Sequence, residues 1–525
     1  MSIDTVSPHR PTEVSHQLSV AQLRLLLASI FIIAACSLLY ELLISSLSTY
    51  LLGSSVVHYS ITIGLFLFFM GVGAWFARYI NHSLVAVFVL VELGIGLIGG
   101  ISALLLFAVY IWSEAYYVVM LLVIAAISTL VGLEIPLLTR IIERTEGLQK
   151  GISEVLTFDY LGALIASLLF PFVLLPWFGH LLAATATGLL NLAVALVIAW
   201  HFRHQLGAWK PVLGLGAIAG VISLAAILVF IKPLQTLLEQ GLYQDTVVHS
   251  EQTAYQKIVV TRWGDDTRLY LNGSLQFSTI DEHRYHEVIT HIPAAYAWQR
   301  QKALVIGGGD ALAVRELLKY DSLQDITVVD IDPAMTALVK RLPVLARQSA
   351  DALLDERVTV VNADAWDWLQ SHGELFDIIV IDLPDPSSED TARLYTVAFY
   401  HRVARRLASG GVMMTQATSP WFAPEAYWSI GATIAEVFET VVPAHTYVPS
   451  FGPWGFFMAA QHNLEKPRHS LHEGRFVKDD SLAEILSLPG DFIQPPVEIN
   501  KVGSLPLLRY YQNGWEFINN GKATP

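Results

Sequence analysis

Four aspartates stand where apolar runs of this chain stop, and a fifth follows one of them closely. Residues 376–388 read FDIIVIDLPDPSS, a hydrophobic run that ends in Asp382 and, three residues on and set in prolines, Asp385. Asp310 directly follows Gly307-Gly308-Gly309, Asp330 closes DITVVD, and Asp364 follows Asn362 at the end of RVTVV. Carboxylates gathered in an enclosed crevice favour a cationic guest. A protonated alkyl amine cannot attack carbon, so one carboxylate beside it must take a proton while the others hold the rest of the molecule. Asp382, at the strand end, is placed for the proton, and Asp385 for a second ammonium. Taken singly, each aspartate reads equally well as a helix N-cap or a turn residue. Four together favour a site.

The glycine loop with an acid about twenty residues further on suggests a nucleoside held by its ribose. The loop is weak evidence alone, and Leu312 occupies the place of the third glycine of the dinucleotide fingerprint. Asp310 inside the loop would repel a pyrophosphate, which disfavours NAD or FAD and tolerates a cationic nucleoside such as a sulfonium.

The elements that must position these residues follow from periodicity. From Lys302, KALVI, DITVVD, RVTVV, FDIIVID and GVMMTQA alternate with amphipathic stretches, which predicts a parallel sheet covered on both faces. Ligands bind such sheets at the carboxyl ends of the strands, where all of these aspartates fall. Before it, YQKIVVTR and TRLYLNGSLQFS predict a small antiparallel unit whose tight hairpin turns at Asn272-Gly273.

The N-terminal half differs. A mean hydropathy of +0.49 is too high for an ordinary soluble enzyme. About seven apolar runs, near 25–47, 55–77, 84–111, 116–138, 156–178, 181–201 and 211–231, each approach the roughly 20 residues a helix needs to cross a bilayer. The connections between them carry Arg78, Arg140, Arg144, Lys150, Arg203 and Lys210, which with Arg10 and Arg24 predict an N-terminus on the cytoplasmic side. An odd number of spans then conflicts with a cytoplasmic catalytic half, unless one run, such as the glycine-interrupted 84–111, does not cross. Glu41, Glu92, Glu134 and Asp159 lie in or beside these runs; they read either as a path for a cation or as buried pairings between helices. A net charge of -14 without a basic run excludes sequence-independent nucleic-acid binding. The single Cys36 excludes a disulfide framework, no metal site is expected, and the polar first twenty residues read as a retained tail rather than a secretory leader.

From about Tyr243 to Gln461 the chain resembles the spermidine and spermine synthases, which transfer an aminopropyl group from decarboxylated S-adenosylmethionine to an amine. The resemblance rests on an ordered series of matches: YQKIVV, LYLNGSLQFSTIDEHRYHEVITHIP, ALVIGGGDALAVRELLKY, ITVVDIDP, RVTVVNADAWDWL, FDIIVIDLPDP, FYHRVARRLASGGVMMTQATSP and TYVPSFGPWGFFMA. It implies a transmembrane helical bundle, a small β unit and a doubly wound Rossmann-like domain of the methyltransferase type. It implies that Asp382 accepts the proton, that Asp385, Tyr285, His286 and Tyr447 contact the amine, and that Asp310 holds the aminopropyl ammonium. Gln256, Gly307, Gly309, Asp330, Asp364 and Ala365 are implied contacts to the nucleoside. The co-substrate is decarboxylated S-adenosylmethionine with no prosthetic group; the partners are putrescine or another polyamine, a lipid bilayer and, by analogy with soluble relatives, a second copy of the chain. The implied location is the inner membrane with the catalytic half in the cytoplasm. Departures are Asp330 where glutamate is usual, Ala311 in place of a glycine, and PSSED after the aspartate pair.

The expected partition is a tail at 1–22, a membrane domain at 23–232, a β domain at 243–300, a catalytic domain at 301–464 and an extension at 465–525. Two other readings remain open at this level: a transporter or sensor that binds nucleoside and amine without turnover, and a methyltransferase on the same fold.

Overall fold

The computed structural model describes residues 20–52, 55–146 and 148–519. The expected tail with Arg10 therefore lies outside the described residues. The chain forms two compact units, Met1–Leu242 and Tyr243–Pro525.

The first unit is helical: α1 (Val20–Leu52), α2 (Ser55–Ala77), α3 (Leu84–Trp112), α4 (Tyr116–Glu146), α5 (Leu148–Leu169), α6 (Leu175–His201) and α7 (Lys210–Val229). Six helical segments are long and apolar enough to cross a membrane, the longest being Ile152–His201. That segment doubles back. Gly162 packs against Phe31 of α1, His180 lies 3.0 Å from Ser46, and Thr187 has returned to Cys36. The reversal is at Gly179, with φ 63° and ψ 179°, so the two runs expected at 156–178 and 181–201 are its arms. Neighbouring contacts make all seven helices alternate in direction. Tyr40 and Tyr50 of α1 meet Gly99 and Phe107 of α3, whereas Glu92 and Gly100 of α3 meet Asn191 and Thr185 of α6.

The glycines of α3 do not interrupt it. The helix runs unbroken for 29 residues, about 43 Å at the usual rise. Gly96 and Gly100 let α6 approach at Gly188, and Gly99 accommodates the Tyr40 ring. Small residues at helix crossings serve this purpose where backbones pack closely. Arg140, expected in a connection, sits on α4 and donates to the carbonyls of Ala77 and Ile80, capping the end of α2. Glu92 is fully buried and accepts from Asn191 Nδ2 at 3.0 Å, and Glu134 is also buried; Glu41 and Asp159 are half-buried.

The second unit contains two sheets. A four-stranded antiparallel sheet has the order β1-β2-β3-β4, with β1 at Thr246–Gln252, β2 at Lys257–Trp263, β3 at Asp266–Leu271 and β4 at Ser274–Ser278. The hairpin turn is Asn272-Gly273, both at positive φ. β1 was not expected, because TVVHSEQ is an edge strand with little apolar alternation.

The larger sheet comprises β5 (Lys302–Gly307), β6 (Asp325–Asp330), β7 (Val358–Asn362), β8 (Phe376–Asp382), β9 (Leu407–Gln416), β10 (Thr440–Val448) and β11 (Gly452–Ala460), in the order β10-β11-β9-β8-β5-β6-β7. The sheet is mixed rather than wholly parallel: β11 runs antiparallel to β9 and pairs with β10 through a turn at Gly452, φ 83°. The order reverses between β5 and β8, and the crevice beyond their carboxyl ends is the switch point of a doubly wound sheet. Apolar residues of β5, β6 and β8 alternate between two buried clusters, one on each face, so both sides of the sheet are covered.

Gly132 and Gly73 seat α4 against α2 so closely that a Cβ on Gly132 would strike the Met70 carbonyl, whereas Gly71 faces open space. Gly132→Ala is expected to lower the melting temperature of the detergent-solubilised protein, consistent with an overpacking cost of about 1–3 kcal/mol, while Gly71→Ala leaves it within a degree or two.

Candidate active site

The crevice is assembled from strand ends. Hydrogen-bonded pairing of Gly307 with Asp382 brings the glycine loop onto the last residue of β8, and Gly308 N–H donates to the Asp382 carbonyl at 3.0 Å. Gly307 and Gly308 have φ of 78° and 62°, and a Cβ on Gly307 would overlap the Asp382 backbone. Gly309 is equally confined, since its Cβ would lie 2.6 Å from Asp330 Oδ2. The glycines are thus required by the acids beside them. Ala311 adopts φ 67° at a position better suited to glycine.

Around Asp382 the site is densely charged. Tyr285 Oη donates to Asp382 Oδ1 at 2.6 Å. Ligand atoms of His286, Asp310 and Asp382 all lie within 4.8 Å of one another. Burial pushes Asp310 up to about 6, with Asp382 adding to the shift and His286 opposing it. Burial also raises Asp382, against the pull of His286 and the Tyr285 hydroxyl. His286 itself would be lowered by burial, but the Glu282 carboxylate 2.9 Å from Nδ1, with Asp310 and Asp382, holds it up at about 9. Glu282 is kept ionised in turn: burial alone would raise it, yet His286 and a two-point contact from Arg315 bring it down to about 2. The sequence expectation included His286 but not the Glu282–Arg315 pair that charges it, because that pair joins residues 33 apart in the chain.

Asp385 lies on the loop after β8 and accepts from Gln416 Nε2 at 3.2 Å and Tyr511 Oη at 3.0 Å. Burial pushes it up to about 6, opposed by these two donors. Gln416 also donates to the Leu383 carbonyl at 2.9 Å, and Tyr395 Oη to that of Pro384 at 3.0 Å, so the proline-bounded loop is tied down along its length. Tyr511 comes from the expected extension and carried no local sequence signal.

On the other side of the glycine loop, Asp330 Oδ2 accepts from Gly309 N–H at 3.0 Å and Oδ1 from Asp332 N–H at 2.8 Å. Burial pushes Asp330 up to about 6 as well. Gln256 reaches this region but donates to Asp332 Oδ2 at 2.9 Å, beside a second donor, Thr253. Asp332, not singled out from sequence, also caps the helix Pro333–Arg341. Asp364 caps the helix Ala365–Ser371 through Trp366 N–H, and its other oxygen is ion-paired with Arg393. The plain N-cap reading therefore holds for Asp364 in this state. Ala365 is the buried first residue of that helix. Tyr447 is 58% exposed at the rim, where its carbonyl accepts from Arg284.

Buried carboxylates grouped in this way favour cationic groups over anions. The comparisons with known proteins agree with that chemistry. The spermine/spermidine synthase domain family matches residues 282–469. Polyamine aminopropyltransferase 2 of Ralstonia nicotianae is 42% identical over 503 residues, covering 94% of this chain and 98% of its own. The polyamine aminopropyltransferase of Leptospira interrogans is 41% identical over 493 residues, 93% of this chain and 98% of its own. That of Oceanobacillus iheyensis is 38% identical over 508 residues, 95% and 99% respectively. The similarity spans both units, and the chain belongs to the polyamine aminopropyltransferases, enzymes of the spermine/spermidine synthase family.

Proposed function

We propose that the crevice transfers the aminopropyl group of decarboxylated S-adenosylmethionine to putrescine or a diamine of similar length. The observation that carries this reading is the convergence of Asp310, Asp382 and His286 within 4.8 Å, with a second, separately anchored carboxylate at Asp385 on the same loop. A donor with an ammonium but no carboxylate suits Asp310. A diamine offers one nitrogen to Asp382 and the other to Asp385.

The reaction is a direct displacement. The acceptor ammonium gives a proton to Asp382, the freed lone pair attacks the methylene beside the sulfonium, the new C–N bond forms as the C–S bond breaks, and methylthioadenosine leaves as a neutral thioether. Tyr285 orients the Asp382 carboxylate, and His286, kept cationic by Glu282, keeps Asp382 from being protonated too readily. Gly307, Gly309 and Asp330 hold the ribose side, and Asp364 and Ala365 the base once Arg393 has moved. Gln256, which donates to Asp332, adds a nucleoside contact on the same side. Tyr447 lines the amine entrance. Most of the acceleration comes from aligning two bound cations, with proton transfer worth a further ~10²–10⁴-fold.

We further infer that the helical unit anchors the enzyme in the inner membrane. Leu67, Phe68, Leu215, Ile218 and Ile222 are exposed along α2 and α7, far more apolar surface than a water-facing bundle tolerates. Carbonate washing of membranes is expected to leave the protein pelleted and detergent to release it; release by carbonate would refute the anchoring.

Asp382→Asn is expected to lower kcat by about 10²–10⁴-fold with donor binding retained, measured by methylthioadenosine release and donor titration. The pH dependence should be displaced. Because the carboxyl of Asp385 is raised to about 6, it loses charge as pH falls through 6 rather than near 4, and kcat/KM for the acceptor should drop over that interval. Flat acceptor kcat/KM between pH 7 and 5 would remove Asp385 from acceptor binding.

A further inference from the structure

The helix Pro506–Asn519 lies outside the segment matched by the synthase domain family, yet it reaches the amine end of the crevice. It is held by close backbone contact: a Cβ on Gly514 would lie 2.7 Å from Ala423 Cα and 2.8 Å from the Phe422 carbonyl. Trp515 packs on Phe422 and Trp454, with ring centroids 5.6 and 6.4 Å away, and stands 6.1 Å from the ring of Tyr511 one turn earlier.

Hydrogen bonds from this helix form a closed circuit. Tyr511 Oη donates to Asp385 Oδ2 at 3.0 Å. Gln416 Nε2 donates to the other oxygen, Oδ1, at 3.2 Å. Gln416 Oε1 accepts from Thr418 N–H at 2.9 Å, and Thr418 Oγ1 accepts from Trp515 Nε1 at 3.2 Å. Thr418 occupies the left-handed region at φ 56°, a conformation a threonine adopts only when its surroundings enforce it. The circuit returns to its own helix, so one donor to the Asp385 carboxylate sits on that helix and the other, Gln416, is joined to it through Thr418 while also being held by Leu383 and Tyr395. Upstream of it, Asn500 Nδ2 donates to the carbonyls of Ala392 and Tyr395, supporting the tyrosine that holds the Pro384 carbonyl.

We propose that the helix Pro506–Asn519 is the acceptor-specificity element of this enzyme, with Tyr511 the positioning residue that aims Asp385 at the distal ammonium and Trp515 the wall that limits acceptor length. This rests on the reading of Asp385 as the amine anchor. A fixed carboxylate backed by aromatic rings defines one distance from the proton-accepting Asp382, and hence one favoured spacing between the two nitrogens. Removing the Tyr511 hydroxyl takes away one of the two donors to Asp385 and leaves the buried packing of the ring in place.

The test is steady-state kinetics of the full-length, detergent-solubilised enzyme with decarboxylated S-adenosylmethionine and a series of acceptors: 1,3-diaminopropane, putrescine, cadaverine and spermidine. For Tyr511→Phe the expected result is about a tenfold rise in KM for the best acceptor, with kcat and donor KM changed less than twofold. The acid limb of acceptor kcat/KM should move to higher pH, because Asp385 has lost a donor that favours its ionised form. For Trp515→Ala the ratio of kcat/KM for cadaverine to that for putrescine should rise at least fivefold. Asp385→Asn is run in parallel. If Asp385→Asn raises acceptor KM while Tyr511→Phe leaves both KM and the pH profile unchanged, the helix has no positioning role and the proposal is overturned with the amine anchor intact. If Asp385→Asn itself leaves acceptor KM unchanged, the amine-anchor reading and this proposal fall together. If Trp515→Ala unfolds the chain, Trp515→Phe, which keeps an aromatic ring but shortens the wall and deletes Nε1, must still shift the acceptor ratio; an unchanged ratio rejects the wall.

Discussion

Burial of several carboxylates close together is the constraint on which the catalytic unit depends. Asp310, Asp330, Asp382 and Asp385 open onto one crevice, and burial makes each harder to ionise than an ordinary carboxyl. Left to themselves, such groups would take up protons and lose both their affinity for cations and their capacity to act as bases. The surrounding fold counters this at each position by a different means. Backbone N–H groups of Leu312, Gly309 and Asp332 serve Asp310 and Asp330, the Tyr285 hydroxyl serves Asp382, and Gln416 and Tyr511 serve Asp385. Among the described residues the cation beside Asp310 and Asp382 is His286, maintained by Glu282 and, behind it, Arg315. In this light the glycine loop has a narrower purpose than its motif suggests: it lets backbone donors lie against acids that side chains would displace.

Much of this was legible in the sequence because strands end abruptly. A run such as FDIIVID switches from apolar to acidic at the sheet's edge, so Asp330 and Asp382 declare themselves by position, and the glycines mark where the chain must turn beside them. The seven apolar runs were likewise readable from length and hydropathy, although the glycines of α3 looked like interruptions and proved to be contact points for α6. What stayed hidden depends on partners far apart in the chain. Nothing local to Glu282 signals Arg315, nothing local to Gln256 signals Asp332, and the pairing of Asp364 with Arg393 arises only once the helix Ala365–Ser371 and residue 393 are brought together. The antiparallel end of the sheet escaped for a related reason: the directions of β10 and β11 are set by pairing rather than by composition.

The two units illustrate opposite solutions to burying carboxylates. In the helical unit Glu92 is buried between helices and met by Asn191. In the catalytic unit the acids stand at strand ends, and each is met by donors of the surrounding fold. The same residue type is therefore part of helix packing in one half and of the strand-end crevice in the other, and only the surroundings distinguish the two.

The circuit through Tyr511, Asp385, Gln416, Thr418 and Trp515 also bears on biosynthesis. Asp385 and Tyr511 are separated by 126 residues, and every other member of the acid array is translated before the helix that backs it. A ribosome-bound chain that has just finished β9 already owns its strand-end carboxylates, whereas the Tyr511 donor to Asp385 is still to be made. The helix that carries it arrives last in synthesis, and an otherwise folded chain cut before residue 506 would keep the acids while Asp385 lacked one of its two side-chain donors.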